Sequence, residues 1–152
     1  MKMTDERDAE KKGFKFLEHT ADAFIEAYGN NLEEVYENAA LALFEVMTDT
    51  SKIEQTLSEI VEVCAADNFE LLYNWLEQFL IKFEVENKIY SKFEVEVIKK
   101  IDSELFLNAK IFGEPFDHEK HPSKVEVKAI TYHDMEIKEH NGLFKAKFLL
   151  DI

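Results

Sequence analysis

The sequence predicts an α+β fold, a largely antiparallel or mixed β-sheet with two main helices covering one face. Two observations predict it. Apolar residues recur at helical spacing in two separated blocks, and nearly everything else beyond residue 12 alternates with a period of two. The resulting order, β-β-α-β-α and then a run of strands, is that of an α+β protein.

Residues 1–12 are almost all polar and read as a charged, frayed tail; residues 13–152 read as one domain, since no linker-like segment interrupts them. Phe14 and Phe16 alternate with Lys15 in a short strand that ends near Glu18-His19-Thr20. A second strand, Ala23 to Tyr28, follows the Thr20-Ala21-Asp22 junction and is broken by Gly29-Asn30-Asn31. Asn31 and Glu34 form a capping-box pattern. Behind it Leu32, Val35, Tyr36, Ala39, Leu43, Phe44 and Met47 mark one face of a helix running to about Thr48.

Leu57 to Ala65 is β-branched and short, hence a strand, and Cys64 within it reads as a small buried thiol. Asp67 and Glu70 repeat the capping pattern. Leu72, Trp75, Leu76, Phe79, Leu80 and Phe83 then give the strongest amphipathic helix, its aromatic stripe read as core packing. Beyond Asn87 the chain is all strand. Phe93, Val95 and Val97 share one face, and after the turn at Asp102-Ser103 so do Leu105, Leu107, Ala109 and Ile111. Gly113 to Ser123 reads as a loop. Val125, Val127 and Ala129 lead into Thr131 to Glu139, Asn141-Gly142 is a type I′ hairpin signal, and Phe144 to Leu150 is the last strand.

The formal charge is −14. So acidic a surface repels phosphate backbones, which argues against direct binding of DNA and leaves any role with RNA to be exerted through another protein. It also attracts divalent cations. A single cysteine excludes an intramolecular disulfide and a Cys-based zinc cage. Met1 to Lys12 lacks the apolar core of a signal peptide, and no stretch approaches the ~20 apolar residues of a membrane span, so a cytoplasmic protein is expected.

Glycine-rich phosphate loops, nucleophile elbows and a helical His-Glu-x-x-His are absent from the sequence. Four features stand out instead. Glu18-His19-Thr20-Ala21-Asp22 gathers three kinds of polar chemistry at a strand end, where a polar turn is the plainer explanation. His118-Glu119-Lys120-His121-Pro122 places two imidazoles three apart, but in a loop with a proline and no second ligand pair, which argues against zinc. Tyr132-His133-Asp134 disturbs the alternation of its strand, as a bulge would. At the C-terminus, Asp151 and the main chain of Ile152 put oxygen donors side by side. Such donors suit a hard ion such as Ca²⁺ or Mg²⁺.

Together these features resemble the archease family. The match runs through Glu18-His19-Thr20-Ala21-Asp22, Tyr28-Gly29, Leu32-Glu33-Glu34, Ala40-Leu41-Ala42-Leu43-Phe44, His121, the unbroken Val127 to Met135, and the closing Asp151-Ile152. Ala23-Phe24 stands where the family often has an Ile-Gly pair. The resemblance implies an SHS2-type fold and a non-catalytic activator of an RtcB-type tRNA-splicing RNA ligase, one that promotes guanylylation of the ligase and its multiple turnover. It implies a Ca²⁺ site, or one for another divalent ion such as Mg²⁺ or Mn²⁺, held by Asp22, Asp151 and Ile152. His19, Lys128, His133 and Asp134 are candidate contacts to the ligase or to nucleotide. Two other functions are compatible with the residues alone. One is a phosphoester hydrolase using Asp22, Asp151 and His19 around an activated water. The other is a general chaperone, which calls for an exposed apolar patch.

Overall fold

The computed structural model describes residues 12–17 and 22–152. Strand β1 (Phe14–Leu17) and β2 (Asp22–Gly29) precede helix α1 (Leu32–Met47). After a single 3₁₀ turn come β3 (Leu57–Ala65), α2 (Asn68–Glu86), β4 (Lys88–Ile101), β5 (Glu104–Pro115), β6 (Ala129–His140) and β7 (Leu143–Asp151). No helix among the described residues is long and apolar enough to cross a membrane.

The strands form two sheets rather than one. A four-stranded sheet has the order β1-β2-β7-β6 and a three-stranded sheet the order β3-β5-β4; every pairing is antiparallel. The helices do not lie over one face of one sheet. α1 packs against β2 of the first sheet and β4 of the second, and α2 against β6 and β3. This explains why α1 buries more than half of its circumference, from Val35 and Tyr36 through Ala39, Ala40 and Ala42 to Phe44 and Val46.

Both helix starts are capped as their sequences require. The Asn31 side chain accepts from the Glu34 amide at 2.8 Å, and that of Asp67 from the Glu70 amide at 2.9 Å. The aromatic stripe of α2 is core. Trp75, Phe79, Phe44, Tyr90 and Phe93 meet edge-on or stacked, and the Trp75 indole N–H donates to the Tyr36 carbonyl at 2.8 Å. Asn141 and Gly142 both have positive φ, 51° and 79°, which the type I′ turn between β6 and β7 demands. Gly113 is needed for a different reason. A Cβ there would sit 1.9 Å from the Ile89 carbonyl oxygen, inside the β4–β5 pair.

Four local expectations are corrected. Cys64 is exposed, because it points to the outer face of the three-stranded sheet. Val97 is also exposed: β4 bulges between Val95 and Ile98, so Ile98 turns to the core in its place. The strand expected from Val125 begins at Ala129, and β5 runs on to Pro115.

β4 is an edge strand, and α1 covers part of that edge with carboxylates. Glu37 accepts from the Val95 amide at 2.8 Å and Glu33 from the Ile98 amide at 3.2 Å, on either side of the bulge. Burial raises the Glu37 pKa above the usual carboxylate range; the Val95 amide opposes this, and the charges of Glu34, Glu94 and Glu33 add to it. A raised folded-state pKa means that the native state holds the proton more tightly than the unfolded chain does. This contribution to stability is therefore full at acid pH and lost as pH rises through the folded value. Glu37→Gln keeps an oxygen for the Val95 amide and removes the charge. It should raise the melting temperature at neutral pH by roughly 1–3 °C, and the gain should shrink on acidification; melting curves across pH 4 to 8 check both.

Candidate metal and partner-contact site

Asp22 opens β2, Asp151 ends β7, and the antiparallel register sets them opposite one another. Directly opposed residues share a face, with Cβ atoms about 4.5–5.5 Å apart. Buried neighbours fix this register: Ala23 opposes Leu150, Ile25 opposes Phe148 and Ala27 opposes Ala146. Slipping the pair by one residue would move Phe148 and Leu150, fully buried in the core, to the opposite face of the sheet. The Lys128 amide donates to the Asp151 carbonyl at 2.7 Å, holding the strand end, and Ile152 lies beyond it, 37% exposed. The register thus assembles two of the three expected metal ligands, with the third next in the chain. Among the described residues no cluster of three or more His, Cys, Asp or Glu side chains forms. Two carboxylates and a main-chain oxygen are nonetheless a donor set of the kind hard divalent cations take.

The remaining candidates divide. His19 lies outside the described residues, as do Glu18, Thr20 and Ala21. Lys128 is exposed and is tied to Asp151 through its backbone. His133 and Asp134 sit in a wide bulge, where β6 takes five steps from Thr131 to Glu136 against two steps of β7 from Leu149 to Lys147. Asp134 has φ of 58°, and its carboxylate lies 3.4 Å from His133 Nε2, both side chains well exposed. Three residue steps of β7, from Phe148 to Asp151, separate this bulge from the strand end, roughly 10 Å. Lys128 therefore belongs to the carboxylate end of the sheet, and His133 and Asp134 form a neighbouring projection.

His121 is a structural residue. The Asp117 amide donates to its Nδ1 at 2.9 Å, so Nε2 carries the proton and donates to the Glu114 carboxylate at 2.9 Å. Both ring nitrogens are engaged within the protein, and His118 packs edge-on against Phe116. Burial alone would raise the Glu114 pKa. Lys120 Nζ, the Glu54 amide and His121 outweigh it and hold the carboxyl below its ordinary range. Glu114 accordingly stabilises the fold at neutral pH, and that contribution is lost as pH falls through its folded value.

One feature that the residue pattern did not reveal lies on the same face as Asp22 and Asp151. Next to their row comes Leu17-Phe24-Leu149-Thr131, and next again Lys15-Glu26-Lys147-Glu136, one residue per strand. The last row is an alternating charge ladder with contacts of 3.5–3.6 Å, and Tyr28 adds a hydroxyl donor to Glu26. The pairing that aligns these charges is non-local, so alternation within a single strand does not reveal it.

The architecture defines an α+β protein with paired carboxylates at the exposed end of its central strand pair. Comparison with known proteins shows the same architecture elsewhere. Residues 14–152 match the Archease protein family. Protein archease of Methanothermobacter thermautotrophicus is 48% identical over 93% of this chain and 99% of its own length, and that of Sulfurisphaera tokodaii 45% identical over 91% and 98%. The solution structure of Methanobacterium thermoautotrophicum protein 1598 superposes with a TM-score of 0.81 at 45% identity, covering 93% of this chain and 99% of that one. A crystal structure of an archease from Thermotoga maritima, described as a possible chaperone, shares the fold with a TM-score of 0.58 at 22% identity, over 90% and 94% of the two chains. The chain belongs to the archease family.

If His121 is structural, His121→Ala should cost about 2–4 kcal/mol of stability, combining a cavity with an unpartnered amide and carboxylate. Calcium affinity should not change. Chemical denaturation measures the first and calorimetry the second; a variant of native stability that had lost its metal would instead make the loop histidines ligands.

Proposed function

We propose that this protein activates an RtcB-type tRNA-splicing RNA ligase, promoting its guanylylation and multiple turnover without performing the chemistry itself. The observation that carries the reading is the register pairing of Asp22 with Asp151 beside an exposed Ile152, in a chain of the archease family. Asp22, Asp151 and the Ile152 main-chain oxygen would hold Ca²⁺, or Mg²⁺ or Mn²⁺ in its place. A bound divalent ion supplies positive charge for organising acidic and phosphate oxygens.

Three protein oxygens leave such an ion short of its usual six to eight, so water or a partner's groups complete the shell. An incomplete shell at a projecting strand end favours action on another molecule. Lys128, beside Asp151, and the His133–Asp134 projection would meet the ligase or its nucleotide next to that tip. The acidic surface keeps RNA itself at a distance, so contact with RNA is indirect.

Calorimetry tests the ligand set. Asp22→Asn and Asp151→Asn should each weaken Ca²⁺ binding at least tenfold, about 1.4 kcal/mol, with melting temperatures near that of the wild type in the absence of metal. Equal affinity in both variants would place the ion elsewhere.

A functional assay tests the tip. With its cognate ligase, GTP and Mn²⁺, the protein should accelerate guanylylation, and extending the chain past Ile152 should abolish that acceleration. The fold should survive the extension, because the fully buried residues of β7 end at Leu150. An extended protein that activates like the wild type would exclude entry of the tip into the ligase.

A further inference from the structure

On the side of the molecule where α1 and α2 end, a cleft of about 200 Å³ opens between α2 and the stretch Ser123–Val127. Its floor is apolar, formed by Met47, Leu80, Phe83 and Ile89. A cavity of roughly 150 Å³ lined by such groups admits a benzene ring, so this one has room for one Leu, Met or Phe side chain. Thr48 forms part of the wall. It is 1% exposed, and its hydroxyl has no hydrogen-bond partner among the described residues. An unpartnered buried hydroxyl of this kind is uncommon.

The second wall lies outside regular secondary structure. All five residues from Ser123 to Val127 line the cleft, yet none belongs to a sheet. In the stretch from Ser123 to Lys128, only the Lys124 amide, which donates to the Met47 carbonyl, and the Lys128 amide, which donates to Asp151, find backbone partners among the described residues. The amides of Ser123, Val125, Glu126 and Val127 have no backbone partner among the described residues. A slot between a helix and a stretch of unpaired backbone suits an added strand, with backbone hydrogen bonds giving affinity and a pocket reading one side chain.

The rim decides what kind of strand. Lys124 is engaged by Glu45 at 3.2 Å, whereas Glu84 and Glu126 are exposed and have no ion pair among the described residues. The protein as a whole carries −14. We infer that this cleft is a docking site for an extended segment of a partner protein, with one apolar anchor side chain flanked two residues away on each side by Arg or Lys. Alternation along a strand puts the anchor and both cations on one face, toward the pocket and the two glutamates. The cleft wall runs on into Lys128, whose amide donates to Asp151, but the cleft shares no lining residue with the carboxylate pair, and the inference does not depend on the ligase reading.

The test uses the full chain and a synthetic peptide, acetyl-Ser-Arg-Val-Leu-Val-Arg-Ser-amide, titrated into ¹⁵N-labelled protein. Saturable shifts should centre on the amides of Ser123 to Val127 and Leu80 to Glu84. The peptide with both arginines replaced by glutamate should bind at least tenfold more weakly. Val125→Pro removes an amide that has no backbone partner and should abolish binding without lowering the melting temperature. The double variant Glu84→Lys, Glu126→Lys, at two exposed positions, should reverse the preference between the two peptides, which a merely structural cleft would not do. Equal binding of both peptides, shifts centred elsewhere, or no saturable shift at millimolar peptide would overturn the proposal. So would shifts of these amides on dilution without peptide, which would assign the cleft to a second copy of the chain.

Discussion

Eight consecutive residue pairs join β2 to β7, from Asp22 with Asp151 to Gly29 with Phe144. The interior face of this pair, Ile25 and Ala27 with Ala146, Phe148 and Leu150, is where α1 rests. The exterior face of the same pair carries the opposed carboxylates, the apolar row and the charge ladder. One register therefore serves both faces. Because side chains alternate, the packing that holds Phe148 inside also holds Asp151 out beside Asp22. The candidate site is fixed by the core beneath it rather than by local loop structure.

The second sheet depends on the first through the helices. α1 and α2 fill the space between the sheets, which leaves the edge amides of β4 near a helix rather than in water. Glu33 and Glu37, one turn apart on α1, accept from them. This satisfies amides at a bulged edge and blocks further strand addition there. Its cost is a cluster of like charges, visible in the raised pKa of Glu37. Elsewhere the protein places its carboxylates among donors. Glu114 has Lys120, the Glu54 amide and His121. Glu59 has Tyr90, Lys88 and Lys82, which outweigh the effect of burial and lower its pKa. An acidic protein stays folded by partnering the acids that are partly buried and leaving the others to water.

Local signals in the sequence led to correct local structure. The 3.6-residue spacing of Leu72 to Phe83, the caps at Asn31 and Asp67 and the positive-φ turn at Asn141-Gly142 are all properties of contiguous residues. Non-local pairing was not legible. Alternation shows that a strand has a buried face but not what lies against it, so one sheet was expected where there are two. A bulge is equally silent: Phe93, Val95 and Val97 alternate faultlessly on paper, and a one-residue shift in β4 exposes the last of them. Crowding of Tyr132, His133 and Asp134 did signal the bulge in β6, because there the alternation itself fails. At the site, Asp22, Asp151 and Ile152 stood out through their resemblance to a family, and the structure adds the register that brings the two carboxylates together. The engagement of both His121 nitrogens was out of reach, since Glu114 lies at the end of a strand and Asp117 contributes only its backbone.

The position of β7 also bears on how the chain comes to be folded. This strand is made late, yet it lies between β2 and β6, so β2 emerges long before its principal neighbour exists. Contacts of such long sequence separation form slowly, because the chain entropy between them is surrendered before any hydrogen bond is gained. While it waits, β2 can pair only with the short β1 and rest against α1, leaving its other edge open. The second sheet has no such delay, since its three strands lie within one stretch from β3 to β5. Synthesis from the N-terminus thus favours a half-built molecule, one sheet closed and the other still waiting for its middle strand. A nascent chain stalled or clipped before β7 would present an unpaired strand edge to its surroundings, the state in which β-proteins are most prone to associate wrongly.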